Sequence, residues 1–417
     1  MVKLLIIADD FTGALDTGIQ FAKRGISTQV FNDFHFNNDE IHSNTEVLVI
    51  DTETRFLSKE AAYESVKMVS VWAKSQGIEI IFKKTDSALR GNIGAEIEAV
   101  IDHDQDAPLF FIPGHPEIDR VIQNGTSYIS KQLLENSVFG TDPFEPVTQS
   151  FVPDIMKEQS DVMVDVIRKE ETIDWETLSH SKVLVCDSMT VDDIDDRLNE
   201  LIQHHQIKYL AGCSALADCL ADKLSFNRTE RTSYNKTDGL YIACGSLNEI
   251  TKRQVEYAEK HGFYRKNLSP VNKLDRNFFD TGEGQEIIRE LRKVSQENKQ
   301  MIVDTFEDEI VLKDKATNGP SEEDGNARFT IAEAHGRLAK EFLNKEMDYT
   351  ILMTGGDTLM GLMKAIGTTQ IKLICEIETG VVLSLIEYKG QSYQIISKSG
   401  GFGTEDVFCR ISEKILK

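Results

Sequence analysis

Short, unbroken apolar segments recur along the chain and are separated by segments with helical periodicity. The apolar runs lie at residues 4–8, 47–50, 78–82, 109–112, 183–186, 240–244, 301–303, 351–353 and 381–386. Because they are continuous rather than alternating, they predict strands that are buried on both faces of a sheet. In the helix-like segment 13–24, Leu15, Ile19 and Ala22 share one face, and Gly25 is placed to end the helix. This alternation predicts an α/β fold with mostly parallel sheets flanked by helices.

The length of the chain predicts two domains. A single hydrophobic core rarely serves 417 residues. The best boundary is the polar stretch 225–238, which has no apolar periodicity, so we expect domains at residues 1–230 and 238–417. A second polar stretch, residues 304–326, is expected to be a surface excursion of the second domain.

The charge of the chain disfavours several classes of partner. Sixty-nine acidic and 46 basic residues give a net charge of −23, which repels nucleic acid and anionic membranes. A small anionic ligand would need a local cluster of cations. The six cysteines form no C-x-x-C pair, and neither a signal peptide nor a transmembrane stretch is visible, so a cytoplasmic protein with reduced thiols is expected. Monomer and homodimer are both left open.

The first apolar run leads into Asp9 and Asp10, which places two acids at the carboxyl edge of a sheet, where α/β folds bind ligands. The dinucleotide fingerprint G-x-G-x-x-G is missing there. Paired carboxylates would repel a pyrophosphate but suit a substrate hydroxyl or a metal ion. The alternative is that Asp10 or Thr12 only caps the following helix.

A dense set of cations, hydroxyls and one acid follows the run at 78–82, and we expect it to form one turn. Lysine and arginine can hold a carboxylate or phosphate, serine and threonine can bind hydroxyls, and the acid could accept a proton. A solvated charged loop is the alternative. Arg55, after another strand, could clamp a carboxylate, although a surface ion pair would explain it equally well. The residues of the turn are Lys83, Lys84, Thr85, Asp86, Ser87 and Arg90.

Three glycine-bearing turns follow strands in the second half, at residues 245–248, 354–358 and 400–403. Each is expected to open a helix, where glycine permits close approach of a phosphate and the helix N-terminus offers N–H donors. Tight packing between strand and helix is the alternative for any one of them. The P-loop pattern, the H-E-x-x-H zinc pattern and the G-x-S-x-G elbow are absent from the sequence, which disfavours those enzyme classes.

Six motifs, in the same order, resemble the four-carbon acid sugar kinase family. They are IADDFTGALDTGIQFA (7–22), DTETR (51–55), KKTDSALRGN (83–92), GSLNEITKRQ (245–254), TGGDT (354–358) and KSGGFG (398–403). The GALDTG form of the first motif is most similar to the D-threonate and D-erythronate kinase branch.

The resemblance implies an N-terminal sugar-acid domain, a C-terminal ATP domain and an active site in the cleft between them. It implies phosphoryl transfer from ATP, with Mg²⁺, to a small sugar acid, and we expect the terminal C4 hydroxyl to be the acceptor. We expect Asp86 to be the base, with Asp9 and Asp10 as alternatives. Candidate substrate-binding residues are Asp9, Arg55, Lys83, Lys84, Thr85, Asp86, Ser87 and Arg90. Candidate ATP-binding residues are Ser246, Asn248, Gly355, Gly356, Asp357, Thr358, Gly400, Gly401 and Gly403. No protein ligand is assigned to the metal.

Two other function classes fit parts of the pattern. A nicotinamide-dependent hydroxy-acid oxidoreductase would share parallel sheets and glycine turns, but its fingerprint is missing. A non-catalytic sugar-acid sensor would keep the fold without turnover, and the intact Asp86, Gly355 and Gly356 argue against it.

Overall fold

The computed structural model describes residues 2–102, 107–141, 146–175, 182–229, 233–245, 248–306, 322–343 and 347–417. The chain forms two compact units, Met1–Arg231 and Thr232–Lys417. Within the described ranges, no helix is both long and apolar enough to span a membrane.

The first unit is built on a parallel sheet with strand order β2-β3-β1-β4-β11-β5-β10-β9, beside a small antiparallel sheet β6-β7-β8. Its strands are β1 (Leu4–Ala8), β2 (Thr28–Phe31), β3 (Val47–Asp51), β4 (Ile80–Lys84), β5 (Leu109–Ile112), β6 (Arg120–Gln123), β7 (Thr126–Ile129), β8 (Gln132–Leu133), β9 (Met163–Ile167), β10 (Lys182–Cys186) and β11 (Tyr209–Gly212). Its helices are α1 (Phe11–Ala22), α2 (Lys59–Ser75), α3 (Ile93–Ile101), α4 (Val152–Lys157), α5 (Val191–Gln203) and α6 (Ser214–Lys223).

The second unit combines parallel and antiparallel pairing in one sheet, in the order β13-β14-β12-β15-β18-β17-β16. Its strands are β12 (Gly239–Cys244), β13 (Tyr264–Asn267), β14 (Gln300–Asp304), β15 (Tyr349–Thr354), β16 (Gln370–Glu378), β17 (Val381–Tyr388) and β18 (Gln391–Lys398). Its helices are α7 (Glu249–Lys260), α8 (Pro270–Leu274), α9 (Gly282–Glu297), α10 (Glu322–Lys340), α11 (Gly356–Ile366) and α12 (Val407–Ile415). β17 pairs antiparallel with both β16 and β18, and the remaining pairs, including β15 with β18, are parallel.

Burial on both faces explains the continuous apolar runs. Every residue of β1 is fully buried, because helices cover both sides of the first sheet. On one of those sides Ile7, Ile50, Val66 and Ile97 belong to a common core cluster. Each such side chain contributes about 1.5–3 kcal/mol when it leaves water, so the core sets the positions of the strand ends. The predicted α/β class with mostly parallel sheets is confirmed.

Several predicted boundaries are wrong by a few residues. The first helix begins at Phe11 rather than residue 13, because the Asp10 carboxylate caps it by accepting from the backbone N–H of Gly13 at 3.1 Å. The fourth strand is Ile80–Lys84 rather than 78–82, so Lys83 and Lys84 lie in a strand and not in the predicted turn. Parallel pairing continues through them, with Ile7 opposite Lys83 and Ala8 opposite Lys84.

Two expected loops are only partly described. Most of the segment 304–326 lies outside the described residues. At its start, however, Asp304 and Thr305 are fully buried at the end of β14, and its last residues belong to α10. In the stretch 225–238, the backbone N–H of Asn227 bonds Glu46 of the first unit, and Thr237 bonds Thr350 of the second.

The glycine turn at 400–403 does not open a helix directly, because α12 begins only at Val407.

Candidate active site

The carboxyl ends of β3, β1 and β4 meet at one edge of the first sheet. Asp9 follows β1, and in register with Ala8 the neighbouring strands end in Asp51 and Lys84. Parallel pairing in the order β3-β1-β4 therefore brings the segments after these strands together. These segments carry most of the acids and cations that the sequence proposed for substrate.

Arg55 and Lys84 bridge the two acids after β1. Arg55 donates from Nε to Asp9 Oδ2 at 2.8 Å and from Nη2 to Asp10 Oδ1 at 2.7 Å. Lys84 Nζ lies 3.2 Å from Asp9 Oδ1 and 3.2 Å from Asp10 Oδ1. All of the hydrogen bonds from described residues to the Asp10 side chain are made at Oδ1, which leaves its Oδ2 available to a ligand. Asp10 thus caps α1 and also faces the site.

The charges in this group fix one another's protonation state. Burial alone would raise the pKa of Asp9, but the charges of Arg55 and Lys84 outweigh it and hold that pKa far below its usual range. Burial would likewise lower the pKa of Lys84, yet Asp9 and Asp10 raise it above its usual value. Asp9 and Lys84 are therefore both charged at neutral pH, within a network of ion pairs.

Asp86 forms a second, bidentate pair with Arg90. Arg90 donates from Nε to Asp86 Oδ2 at 2.8 Å and from Nη2 to Oδ1 at 3.1 Å. Burial would raise the pKa of Asp86, but Arg90 and Arg55 hold it well below its usual range. Both carboxylate oxygens are engaged, which makes Asp86 a weak base in this arrangement.

Lys83 is separated from this group although it is the neighbour of Lys84. Its side chain is fully buried, and its Nζ lies 2.8 Å from Glu96 Oε2 in the interior. It also donates to the carbonyl oxygens of Ile7 and Lys84, at 3.2 and 2.8 Å. Thr85 is fully buried too, with its backbone N–H bonded to the Gly212 carbonyl. The structure does not bring Lys83 and Thr85 to the exposed side of the site.

Two further residues lie beside the predicted turn: Arg120, which the sequence did not assign to the site, and Phe139, which it missed. Arg120 donates from Nη1 to Ser87 Oγ at 2.5 Å. The guanidinium carbons of Arg90 and Arg120 lie 5.1 and 4.8 Å from the centroid of the Phe139 ring, in cation–π contact. Arg120 is the first residue of β6, a strand that was not predicted because it contains no long apolar run.

The described residues of the three glycine turns of the second unit lie together at the carboxyl edge of its sheet. The backbone N–H of Gly355 donates to the Lys398 carbonyl at 2.9 Å, and Thr251 Oγ1 donates to the Gly400 carbonyl at 2.7 Å. A Cβ placed on Gly245 would lie 2.6 Å from Thr358 Oγ1, so the first two turns also touch. Among the other candidates, Asn248 caps α7 by accepting from Ile250 N–H, whereas Ser246 lies outside the described residues.

The glycines of these turns differ in what the backbone requires of them. Gly355 has φ +95° and ψ 144°, a conformation essentially restricted to glycine, and its N–H is already used. The next N–H groups, from Gly356 to Thr358, belong to the first turn of α11 and are unsatisfied within the helix. Asp357 pairs with Arg328. Gly401 has space for a Cβ with no described atom within 4 Å, and Gly403 has φ +88°.

Lys398 is a buried cation next to these turns that the sequence did not single out. Its side chain is 1% exposed, and Nζ donates to the Ser399 carbonyl at 2.9 Å. No carboxylate among the described residues pairs with it, and burial lowers its pKa to about 8. In the part of the chain that the structure describes, no group of three or more His, Cys, Asp or Glu side chains is arranged to hold a metal ion.

Comparisons with known proteins match both halves of the chain. The model of a sugar-binding N-terminal domain matches residues 4–220, and the model of a nucleotide-binding C-terminal domain matches residues 241–408. The D-threonate kinase of Salmonella typhimurium is 23% identical, with 98% of this chain and 97% of the relative covered. The D-erythronate kinase of Heliobacterium modesticaldum is 24% identical, with 100% and 98% covered. The 3-oxo-tetronate kinase of Haemophilus influenzae is 25% identical, with 97% of each covered.

Two crystal structures show the same fold. One, of a protein from Salmonella typhimurium, has a TM-score of 0.80 at 21% identity and covers 100% of both chains. The other, of a protein from Haemophilus influenzae, has a TM-score of 0.73 at 21% identity, with 99% of this chain and 100% of that chain covered.

Proposed function

Because the chain belongs to the four-carbon acid sugar kinase family, we propose that it transfers the γ-phosphoryl group of ATP to a hydroxyl group of a four-carbon sugar acid such as D-threonate or D-erythronate. The observation that carries the proposal is the ionised network of Asp9, Asp10, Arg55 and Lys84 at the sheet edge of the sugar-binding domain. Such a network presents carboxylate oxygens that can accept hydrogen bonds from the substrate hydroxyls.

ATP is assigned to the second unit. The joined glycine turns and the unsatisfied N–H groups at the start of α11 suit phosphate oxygens, and Lys398 adds a positive charge beside them. ATP supplies the phosphoryl group, and Mg²⁺ bound to its phosphates offsets their charge. Mg²⁺ is assigned to the nucleotide phosphates, and no protein ligand is named for it.

The terminal C4 hydroxyl is the proposed acceptor. When the single carboxylate at C1 is held, the far end of a four-carbon chain is the end that can be presented to a phosphoryl donor. A protein carboxylate then orients this hydroxyl and takes its proton. Asp10 suits this role better than Asp86 in the structure, because Asp10 Oδ2 accepts no bond from the described residues while both oxygens of Asp86 bind Arg90.

The activity is tested by screening the purified protein against four-carbon aldonic acids with coupled detection of ADP. Turnover of one or more stereoisomers is expected, and phosphorus NMR of the product should show the phosphate on O4. A phosphate on O2 or O3 would contradict the proposed orientation. Binding of a nicotinamide dinucleotide in place of ATP would contradict the kinase function itself.

The choice of base is tested with two isosteric variants. Asp10→Asn keeps the helix cap and removes the charge, so kcat should fall by about two to four decades, the usual scale of general base catalysis, with ATP affinity nearly unchanged. Asp86→Asn should lower kcat by a smaller factor, because the proposed role of Asp86 is to hold Arg90 in position and not to take the proton. The reverse order of the two losses would assign the base to Asp86, as the sequence suggested.

A further inference from the structure

Arg120 is the cation of this site that has no acid partner. Arg55 and Lys84 contact Asp9 and Asp10, and Arg90 contacts Asp86. For Arg120, by contrast, no carboxylate of the described residues lies within ion-pair distance, and its one side-chain hydrogen bond goes to the neutral Ser87 hydroxyl. Among Arg55, Lys84, Arg90 and Arg120, it is therefore the one cation without an ion pair to a described residue.

The setting of Arg120 favours an anion. Its guanidinium carbon lies 4.8 Å from the centroid of the Phe139 ring, a cation–π contact that helps to hold the group in place, and Nη1 is its one nitrogen that bonds a described residue. Its guanidinium is largely shielded from water; the carboxylate of Asp86 attracts it from beyond ion-pair distance, and the charge of Arg90 on the same ring repels it. A partly desolvated guanidinium without a directly paired carboxylate is unfavourable, and a bound carboxylate would supply that pair.

Arg55 is less suited to this task than the sequence suggested. Its Nε and one Nη already donate to Asp9 and Asp10, so a second carboxylate would meet donors that are in use and two negative charges. Arg120 lies beside Ser87, in the segment that leads from Asp86 to Arg90, and is therefore part of the same site.

We propose that Arg120 binds the carboxylate of the four-carbon sugar acid and so selects aldonic acids over neutral polyols. This inference rests on the proposed function. Arg55 and Lys84 then act by positioning Asp9 and Asp10 towards the substrate hydroxyls. The two ends of the substrate are thereby assigned to different groups, with C1 at Arg120 and the hydroxyl-bearing end at the Asp9–Asp10 pair.

The test measures binding of D-threonate and of neutral threitol by calorimetry, with the whole protein. Arg120→Gln should weaken D-threonate binding on the order of 10- to 100-fold, the scale of a charge-assisted hydrogen bond, and leave threitol binding unchanged. Arg120→Lys should recover part of the loss. The control is Arg168→Gln, an exposed arginine that pairs with Glu171 in the same unit, and it should behave as wild type.

The variants are first checked for their unfolding transition and for ATP binding. If Arg120→Gln does not fold, Phe139→Leu replaces it, and loss of the ring behind the guanidinium should weaken D-threonate binding several-fold. Unchanged preference for D-threonate over threitol in a folded variant would overturn the proposal, as would a weakening of ATP binding alone. Failure of the wild type to bind any four-carbon aldonate, whatever Arg120 does, would instead contradict the proposed function.

Discussion

Lys83 and Lys84 are adjacent residues of one strand with opposite surroundings. Successive side chains of a strand point to opposite faces, so one lysine enters the interior towards Glu96 while the other contacts Asp9 and Asp10 at the sheet edge. Burial raises the pKa of Glu96 even though Lys83 opposes this, which indicates a costly interior pair. We therefore expect a structural role for Lys83 and a functional role for Lys84.

Substitution of each lysine by methionine should separate these roles. Lys83→Met leaves the Glu96 carboxyl buried without its cation and should lower the free energy of unfolding by about 3–5 kcal/mol, with sugar-acid affinity retained. Lys84→Met should lower that affinity with a smaller effect on stability. Urea unfolding and calorimetry measure the two quantities.

A second change in the same pair serves as the control. Lys83→Met combined with Glu96→Leu removes both charges and should recover most of the lost stability. Loss of sugar-acid binding in Lys83→Met at unchanged stability would instead support the direct substrate contact that the sequence suggested.

At the level of single residues, the sequence placed much of the site but not all of it. Asp9, Arg55, Lys84 and Asp86 could be grouped because each follows a predicted parallel strand, and such strands end at one edge. Their roles stay predictions. The different surroundings of Lys83 and Lys84 could not be predicted while both were placed in a turn, because only a strand directs their side chains to opposite faces of the sheet. Arg120 contacts Ser87 across 33 residues from a strand without a strong pattern, so no local signal linked them.

Among the elements, the glycine turns of the second unit contain two kinds of glycine: those that the packing of the protein requires, and those that leave room for a ligand. Most glycines near the turns are fixed by the protein itself: a Cβ on Gly403, for example, would lie 3.0 Å from Val407. Gly401 is different, because no described atom lies within 4 Å of such a Cβ and its φ is not left-handed. A side chain there is compatible with the fold and would conflict only with a ligand.

Gly401→Val should therefore weaken ATP binding by more than about tenfold, which is 1.4 kcal/mol. Its free energy of unfolding should stay within about 0.5 kcal/mol of wild type. The matched control is Gly282→Val at the start of α9, where a Cβ also meets nothing within 4 Å. Equal ATP affinities in both variants would exclude the 400–403 turn from the phosphate site.

Strands that are buried on both faces were predicted well, and strands in which apolar and polar residues alternate were predicted poorly. Each continuous apolar run corresponds to a strand of the structure. The antiparallel strands β16 and β18 were not predicted, because polar residues interrupt their apolar ones. A signal was present in Lys389-Gly390, which has positive φ at both residues and connects Tyr388 to Gln391 as a tight hairpin turn.

On the scale of the whole molecule, the net charge of −23 contrasts with the two anionic ligands that are proposed. A long-range negative potential opposes polyanions, whereas the proposed ligands are small enough to be held by a few buried cations at short range. The first unit provides Arg120 for this purpose, while Arg55 and Lys84 offset the charges of Asp9 and Asp10, and the second unit provides Lys398.

Each unit should accordingly bind one ligand, and full-length variants can show this. Arg55→Ala removes the residue that orients Asp9 and Asp10, so it should weaken D-threonate binding strongly and leave the dissociation constant of ATP within about a factor of two, which is 0.4 kcal/mol. Gly401→Val should show the opposite pattern. Equal weakening of both ligands by Arg55→Ala would show that the assignment of one ligand to each unit is wrong.

Because the side chain of Lys398 is buried, its protonation lowers the stability of the folded protein in mildly alkaline solution. The unfolded chain holds its lysine protons up to a pKa of about 10.5, whereas the folded protein holds this one only up to about 8, so the unfolded state binds more protons between these values. The contribution of Lys398 to stability should therefore increase as the pH rises from 8 to 10.5, by up to ~3 kcal/mol. Comparison of urea unfolding of wild type and Lys398→Met across this range isolates the effect. A constant difference between the two proteins would mean that the ammonium finds a counter-charge within the fold.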